Sequence, residues 1–322
     1  MTVTGPQGFR AAGVAAGIKQ DALDLALVVN DGPEQAAAGV FTRNVVKAAP
    51  VLWSQEVLRH RRLRAVVLNS GGANAATGPG GFQDTHATAE KVAEVLGTGA
   101  VEVAVCSTGL IGERLPMGAV LSGVDGAVEA LADTGDAGLA AARAVMTTDS
   151  VPKQAWQRHD AGWSIGGMAK GAGMLAPNLA TMLVVLTTDA VVAPDALDAA
   201  LRAATRVTFD RLDVDGGTST NDTVLVLSSG ASGTEPGVDE FTELLTAVCL
   251  DLVLQLRADS EGATKDVDLI VRGAASEQDA INVGRTVAED NLVKTALFGS
   301  DPNWGRIAMA LGRARAEIDP AA

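Results

Sequence analysis

The chain has 322 residues, with 39 acidic and 25 basic side chains and a formal net charge of −14. Phosphate groups repel so negative a protein, which argues against nucleic acid or an anionic membrane as a partner. Apolar residues make up 47% and aromatic residues 3% of the chain, so we expect a large core of Ala, Val and Leu. This composition is typical of a soluble protein that handles small molecules.

The predicted elements alternate along the chain. Apolar segments rich in β-branched residues predict strands at 23–29, 65–68, 101–106, 181–187, 223–227 and 267–271. Helical periodicity predicts helices at 84–96, 136–146, 194–207, 238–258 and 277–289. This mixture predicts an α/β (mixed α+β) fold of layered sheets flanked by helices. The strand at 181–187 is apolar on both faces, so we expect it to be buried between layers.

Targeting and metal-binding signals are missing from the sequence. The N-terminal MTVTGPQGFRAAG lacks the basic and apolar parts of a signal peptide, and no apolar run approaches the roughly 20 residues that span a bilayer. Cys106 and Cys249 lie in apolar stretches, where we expect buried, reduced thiols and no disulfide. No Cys/His cluster has metal-ligand spacing. We therefore expect a cytoplasmic protein without a metal site.

The segment 166–182, GGMAKGAGMLAPNLATM, joins a glycine-rich stretch to a buried strand. Four glycines fall within eight residues, Pro177 and Asn178 then form a turn, and the strand begins at Thr181. A hydroxyl side chain at such a junction is well placed to be a nucleophile, because the strand fixes it and the loop admits a substrate. An ordinary glycine-rich turn with a capping or packing Thr explains the same pattern, and the pattern alone favours this second interpretation.

No histidine lies in a nucleophile motif such as GxSxG: His60, His86 and His159 are in basic, helical and polar surroundings. If the protein carries out acyl chemistry, its base is therefore not expected to be imidazole. A Thr at a newly formed N-terminus provides an alternative, because its own α-amine, with a reference pKa of about 7.7–8.0, can accept the hydroxyl proton.

The segment 106–117, CSTGLIGERLPM, follows a predicted strand that ends at Cys106. Ser107, Thr108 and Gly109 would open a turn in which a hydroxyl and a glycine N–H can stabilise an oxyanion. A strand-to-helix turn capped by Thr108 is the alternative. Five further loop-like segments are small and polar, and all but the second contain glycine: NSGGANAATG (69–78), MTTD (146–149), GGTSTNDT (216–223), DSEGATK (259–265) and GSDPNWGR (299–306).

Taken together, these segments resemble the ornithine acetyltransferase family. KGAGMLAPNLATML is similar to that family's self-cleavage and nucleophile motif, with Ala180–Thr181 at the junction. NSGGANAATG, CSTGLIGERLPM, AVMTTDSVPK, STNDT, EGATK and LVKTALFGSDPNWGR match in family order, over about residues 8–312. The resemblance implies a self-processing fold like that of the N-terminal-nucleophile enzymes.

The resemblance also implies a role for each matching residue. Thr181 would be the nucleophile, exposed by cleavage of the Ala180–Thr181 bond, and Thr108 and Gly109 would form the oxyanion hole. Thr147, Lys170, Thr181 and Glu261 would bind substrate. Residues 1–180 would form an α chain and residues 181–322 a β chain, assembled as two of each.

The implied reaction belongs to arginine biosynthesis. Acetyl would pass from N2-acetyl-L-ornithine to Thr181 and then to L-glutamate in a ping-pong sequence. No metal or organic cofactor is implied, although acetyl-CoA is a co-substrate of some relatives and would give a second activity, amino-acid N-acetyltransferase.

Two alternatives remain open. An amidase or aminopeptidase would use the same N-terminal nucleophile. The second alternative is a non-catalytic remnant of the family. Family members continue several tens of residues further and end in an Asn and a Ser or Thr that bind substrate, whereas this sequence ends at Ala322. By that comparison we expect a shortened β chain.

Overall fold

The computed structural model describes residues 2–174 and 182–319, which form strands and helices in a mixed order. The strands are β1 Phe9–Val14, β2 Leu25–Asn30, β3 Ala36–Phe41, β4 Ala65–Gly72, β5 Val103–Leu110, β6 Lys153–Arg158, β7 Ser164–Lys170, β8 Leu183–Thr188 and β9 Thr223–Ser228. The helices are α1 Ala49–Val57, α2 Gly78–Leu96, α3 Met117–Glu129, α4 Gly135–Ala144, α5 Pro194–Val207, α6 Val238–Ala258, α7 Glu277–Ala288, α8 Asn291–Phe298 and α9 Trp304–Leu311.

The described strands form two mixed sheets. The first has the order β1-β2-β4-β5, in which β4 and β5 are parallel and the other pairs are antiparallel. The second has the order β3-β9-β8-β7-β6, in which β8 and β9 are parallel and the other pairs are antiparallel. Parallel pairs need crossover connections, which the intervening helices provide: α2 lies between β4 and β5, and α5 lies between β8 and β9.

The two sheets pack face to face between layers of helices. Met168, Leu183 and Leu225 of the second sheet share one buried cluster with strands of the first sheet and with helices α2–α4. The opposite face of the second sheet, including Val184 and Val226, packs against α5 and α6 in a second cluster. Alternate residues of one strand therefore pack against different layers, which explains why β8 and β9 are buried along their whole length.

Helix α1 covers the outer edge of β5. The Ser54 hydroxyl donates to the Val105 carbonyl at 2.7 Å and accepts from the Val105 N–H at 3.0 Å. The Trp53 indole donates to the Val103 carbonyl at 3.0 Å. These bonds satisfy backbone groups that an open sheet edge would leave unpaired.

The structure confirms most of the predicted elements. The fold is a mixed α/β arrangement of layered sheets and helices, β2, β4, β5 and β9 overlap their predicted strands, and each of the five predicted helices is present. Strand β8 is fully buried as expected, although the first predicted residue of that strand, Thr181, lies outside the described residues. Cys106 and Cys249 are free and buried, and burial raises the pKa of Cys106 to about 12.

The prediction of a strand at 267–271 is wrong. This segment forms no regular element, and Leu269 and Val271 lie beside Gly284 of α7. A strand needs a hydrogen-bonded neighbour. Because a helix surface offers no unpaired backbone groups along its side, β-branched residues that pack there do not become a strand.

The interpretation of 166–174 as a glycine-rich loop is also partly wrong, because Gly166 and Gly167 lie inside β7. A Cβ at Gly166 would lie 2.3 Å from the Thr2 carbonyl oxygen, and one at Gly167 would lie 2.8 Å from a Leu186 methyl. These glycines permit close packing instead of a turn. Among the described residues, no helix is long and apolar enough to cross a membrane.

Candidate active site

The candidate site lies where strand ends of the two sheets meet. In the second sheet, Lys170 at the end of β7 pairs with Leu183 of β8, which pairs with Thr223 of β9. The Asn221 side chain, just before β9, donates to the carbonyls of Ala73 at 2.6 Å and Ser107 at 2.8 Å. Asn221 therefore links the start of β9 to the ends of β4 and β5 in the first sheet.

Lys170 is the centre of this region. Its ammonium donates to the Thr147 hydroxyl at 2.8 Å and to the Thr108 hydroxyl at 3.3 Å, and it lies 3.7 Å from a carboxylate oxygen of Asp149. The residue is buried, and burial lowers the pKa of Lys170 while Asp149 acts in the opposite direction. The structure thus brings together three of the residues predicted from the sequence, Thr108, Thr147 and Lys170.

Thr108 and Gly109 do not form the turn expected from the sequence, because β5 continues to Leu110. The strand extends beyond Cys106 because Asn69–Gly72 of β4 provide a parallel partner for residues 107–110. Thr108 is fully buried in the strand, so it does not cap a helix either. Gly109 has φ +133°, and a Cβ there would lie 2.4 Å from the Gly71 carbonyl carbon, so this position requires glycine.

Thr147 and Glu261 lie in loops near the end of β7. Thr147 follows α4, is exposed, and donates its backbone N–H to Asp149 at 3.0 Å. Glu261 is exposed in the loop after α6, and its backbone N–H donates to the Ala172 carbonyl at 2.7 Å. Its carboxylate is close to Gly173, where an added Cβ would lie 2.6 Å from Oε2. Glu261 therefore lies beside the segment that follows Lys170.

The predicted nucleophile Thr181, the cleavage position Ala180 and the Pro177–Asn178 turn lie outside the described residues. The next residue, Met182, donates its N–H to Asp222 at 3.0 Å. Burial holds the pKa of Asp222 well above its ordinary value, although the Met182 N–H opposes this. Met182 lies one residue before Leu183, the first residue of β8 and the strand neighbour of Lys170.

Comparison with known proteins identifies the family. A model of the ArgJ family matches residues 10–322. The arginine biosynthesis bifunctional protein ArgJ of Mycolicibacterium paratuberculosis is 63% identical over 99% of this chain and 80% of its own length. The chain belongs to the ArgJ family. The ArgJ protein of Streptomyces coelicolor is 62% identical over 99% of this chain and 83% of its own length.

A solved ArgJ relative has a similar fold. The crystal structure of ornithine acetyltransferase complexed with ornithine from Mycobacterium tuberculosis matches with 64% identity and a TM-score of 0.54. The match covers 56% of this chain and 96% of that chain. These findings confirm the family predicted from the ordered motifs.

Sequence reasoning missed three charged residues, Asp149, Lys153 and Asp259, whose ion pairs lead away from Lys170 in this ArgJ chain. Asp149 lies against Lys170, and Lys153 connects Asp149 with Asp259. Asp149 and Asp259 lie within the MTTD and DSEGATK segments. Lys153 connects these two carboxylates, which are 110 residues apart, so no local sequence pattern indicates their ion pairs. Among the described residues, no group of three or more His, Cys, Asp and Glu side chains could hold a metal ion.

Proposed function

We propose that this ArgJ chain transfers acetyl from N2-acetyl-L-ornithine to L-glutamate through an acetyl ester on Thr181. The observation that carries the proposal is the convergence of Thr108, Thr147 and the Lys170 ammonium beside the start of β8, in a chain of the ArgJ family. Two hydroxyls and one buried cation at strand ends are suited to binding a polar substrate and stabilising developing negative charge.

The chemistry takes two transfer steps. The Thr181 hydroxyl attacks the acetyl carbonyl and its proton passes to the Thr181 α-amine, while Thr108 and Gly109 stabilise the oxyanion. The C–N bond then breaks, the α-amine returns the proton to the leaving amine, and ornithine departs. In the second step the glutamate amine attacks the ester, releasing N-acetylglutamate and restoring the Thr181 hydroxyl.

Charge complementarity supports the substrate assignment. Acetylornithine has a carboxylate and a side-chain ammonium, and glutamate has carboxylates and an amine. Lys170 would bind a carboxylate and the exposed Glu261 an ammonium, with Thr147 donating or accepting a further hydrogen bond. Lys170 begins the short segment 170–173, and Glu261 contacts the same segment because its backbone N–H donates to the Ala172 carbonyl.

Self-cleavage would create the α-amine that the mechanism needs. Attack of the Thr181 hydroxyl on the Ala180 carbonyl gives an ester, which water then hydrolyses into an α chain of residues 1–180 and a β chain that begins at Thr181. The solved M. tuberculosis chain covers 56% of 322 residues, about 180, which equals the length of this α chain. We propose an assembly of two α and two β chains in the cytoplasm.

No organic cofactor or metal enters this mechanism. Acetyl-CoA would serve as a second acetyl donor, giving N-acetylglutamate synthesis by the same Thr181 ester. The wild-type protein is therefore expected to form N-acetylglutamate from either donor.

The test combines intact-mass analysis with an assay of acetyl transfer. Wild-type protein should give two fragments that meet at Ala180 and Thr181, and it should convert acetylornithine and glutamate into ornithine and N-acetylglutamate. Thr181→Ala should remain a single chain and transfer no acetyl, because it lacks the attacking hydroxyl. Thr242→Ala on α6 is the matched control and should cleave and react like the wild type.

Each other outcome rejects a defined part of the proposal. Cleavage of Thr181→Ala at the same bond would mean that Thr181 is not the nucleophile. Ornithine release without N-acetylglutamate would identify an amidase, in which water is the acceptor. A wild-type chain that stays whole and transfers nothing would fit the non-catalytic alternative.

A further inference from the structure

Asp149 lies behind the substrate-binding groups and contacts several of them at once. Its side chain is fully buried. One carboxylate oxygen accepts the Gly171 N–H at 2.6 Å and the Lys153 ammonium at 2.7 Å. The other accepts the Thr147 N–H at 3.0 Å and lies 3.7 Å from the Lys170 ammonium. One carboxylate therefore touches the loop of Thr147, the end of β7 and the Lys170 charge.

Lys153 extends this arrangement to the other side of the site. Its side chain, at the start of β6, is fully buried, and its ammonium lies 2.7 Å from Asp149 and 2.6 Å from Asp259. Asp259 follows the last turn of α6, two residues before Glu261, and accepts the Ser150 N–H at 3.0 Å. The alternating charges thus run from Lys170 through Asp149 and Lys153 to Asp259, beside Glu261.

The charges of this network are mutually stabilising. Burial raises the pKa of Asp149, but Lys170 and Lys153 outweigh it and the net pKa is lowered. For Asp259 the hydrogen bonds from Lys153 and Ser150 likewise outweigh burial. The other charged groups near Lys170 are Lys153 and Asp222, and Lys19 lies near Asp149. The fully buried carboxylate of Asp149 is held in one geometry, because no water is available to replace a lost partner.

We infer that Asp149 and Asp259, joined by Lys153, are positioning residues that fix the distance between the carboxylate-binding Lys170 and the ammonium-binding Glu261. The inference rests on the proposed function and extends it to specificity. A rigid separation of the two charged contacts selects substrates whose carboxylate and ammonium have a matching separation. Asp149 also favours the charged form of the buried Lys170 side chain.

The experiment compares Asp149→Asn, Asp259→Asn and, as a matched control, Asp198→Asn. Asp198 also pairs with a basic residue, Arg202, but on the surface of α5, so its variant should behave like the wild type. Two measurements are made on each protein: the pH profile of kcat/KM for acetylornithine, and the titration of the Lys170 side chain by 13Cε NMR. The chain has seven lysines, and the Lys170 signal is identified by its loss in Lys170→Met.

The two variants should differ in a defined way. Asp149→Asn removes the carboxylate that lies 3.7 Å from the Lys170 ammonium, so the pKa of Lys170 falls further. Activity needs the Lys170 cation and is lost as the pH rises through that pKa. The alkaline limb of the kcat/KM profile should therefore shift to lower pH together with the Lys170 titration. Asp259→Asn should leave the Lys170 titration unchanged but reduce kcat/KM by about tenfold to a hundredfold through KM, because Glu261 is displaced.

The outcomes separate this inference from the proposed function. A wild-type protein without acetyl transfer rejects the proposed function, whereas the Lys170 titration still tests the action of Asp149. An unmoved Lys170 titration and alkaline limb in Asp149→Asn overturn the inference, since a purely structural residue would lower only the yield of folded protein. If Asp149→Asn does not fold, an unchanged KM in Asp259→Asn overturns it.

Discussion

The two-sheet body, residues 2–174 and 182–258, and the C-terminal segment, residues 262–319, use their apolar residues differently. In the body, whole strands such as β2, β8 and β9 are buried, and two large clusters fill both faces of the second sheet. In the C-terminal segment the described cluster contains only Val287, Val293 and Ala310, with Leu311 packed against it. Large side chains there are exposed, including Ile270 at 71%, Phe298 at 69% and Trp304 at 79%.

The site obtains its rigidity from the body. Thr108, Lys170 and the positioning carboxylate Asp149 all lie in the body, where packed sheets hold the strand ends. The C-terminal segment meets the body through polar contacts, such as Arg206 and Arg211 with Glu277, and exposed ion pairs of this kind stabilise little. Glu261 lies at the junction, two residues after Asp259, which the buried Lys153 ammonium contacts at 2.6 Å.

The largest difference between the regions should appear in their cores. Leu225→Ala removes a fully buried side chain between the sheets, so it should lower the free energy of unfolding by about 2–5 kcal/mol. Ile270→Ala in the C-terminal segment removes a mostly exposed side chain and is the matched control. Urea denaturation followed by circular dichroism measures both. Equal losses would mean that the two regions are packed alike.

An intermediate effect is expected from glycines with positive φ. Gly109→Ala places a Cβ against the backbone of β4, so we expect a loss of about 1–3 kcal/mol in stability. Transfer should fall about 100-fold to 1000-fold as the oxyanion donors move. Gly273→Ala in the C-terminal segment has φ +72° with nothing within 4 Å, and should leave transfer unchanged. Normal transfer by Gly109→Ala would remove the strand end from the oxyanion hole.

The smallest effect should come from Trp304→Ala. Because this side chain on α9 is mostly exposed, its truncation should change the free energy of unfolding by no more than about 0.5 kcal/mol. The same denaturation measurement applies, with acetyl transfer as a second readout. A loss of several kcal/mol would show that Trp304 is covered in solution, and the contrast between the two regions would disappear.

Much of the fold could be predicted because its signals are local. The apolar runs of β2, β4, β8 and β9 and the periodicity of α5 and α6 depend on neighbouring residues only, and the structure has α5 and α6 at the predicted bounds. Strand β7 was not predicted, since its Gly166 and Gly167 are typical of turns until Thr2 and Leu186 pack against them. The segment 267–271 shows the converse, with strand-like residues placed beside a helix.

At the site, the amino-acid sequence was sufficient to identify the family and the residue types, because a long ordered series of motifs is specific even where each motif is weak. The folded structure was needed to show that Thr108, Thr147 and Lys170 share hydrogen bonds, and that Asp149, Lys153 and Asp259 form a chain of alternating charges. The physical reason is distance along the chain. Contacts between residues as far apart as Lys153 and Asp259 arise from sheet pairing and layer packing, which local sequence patterns do not encode.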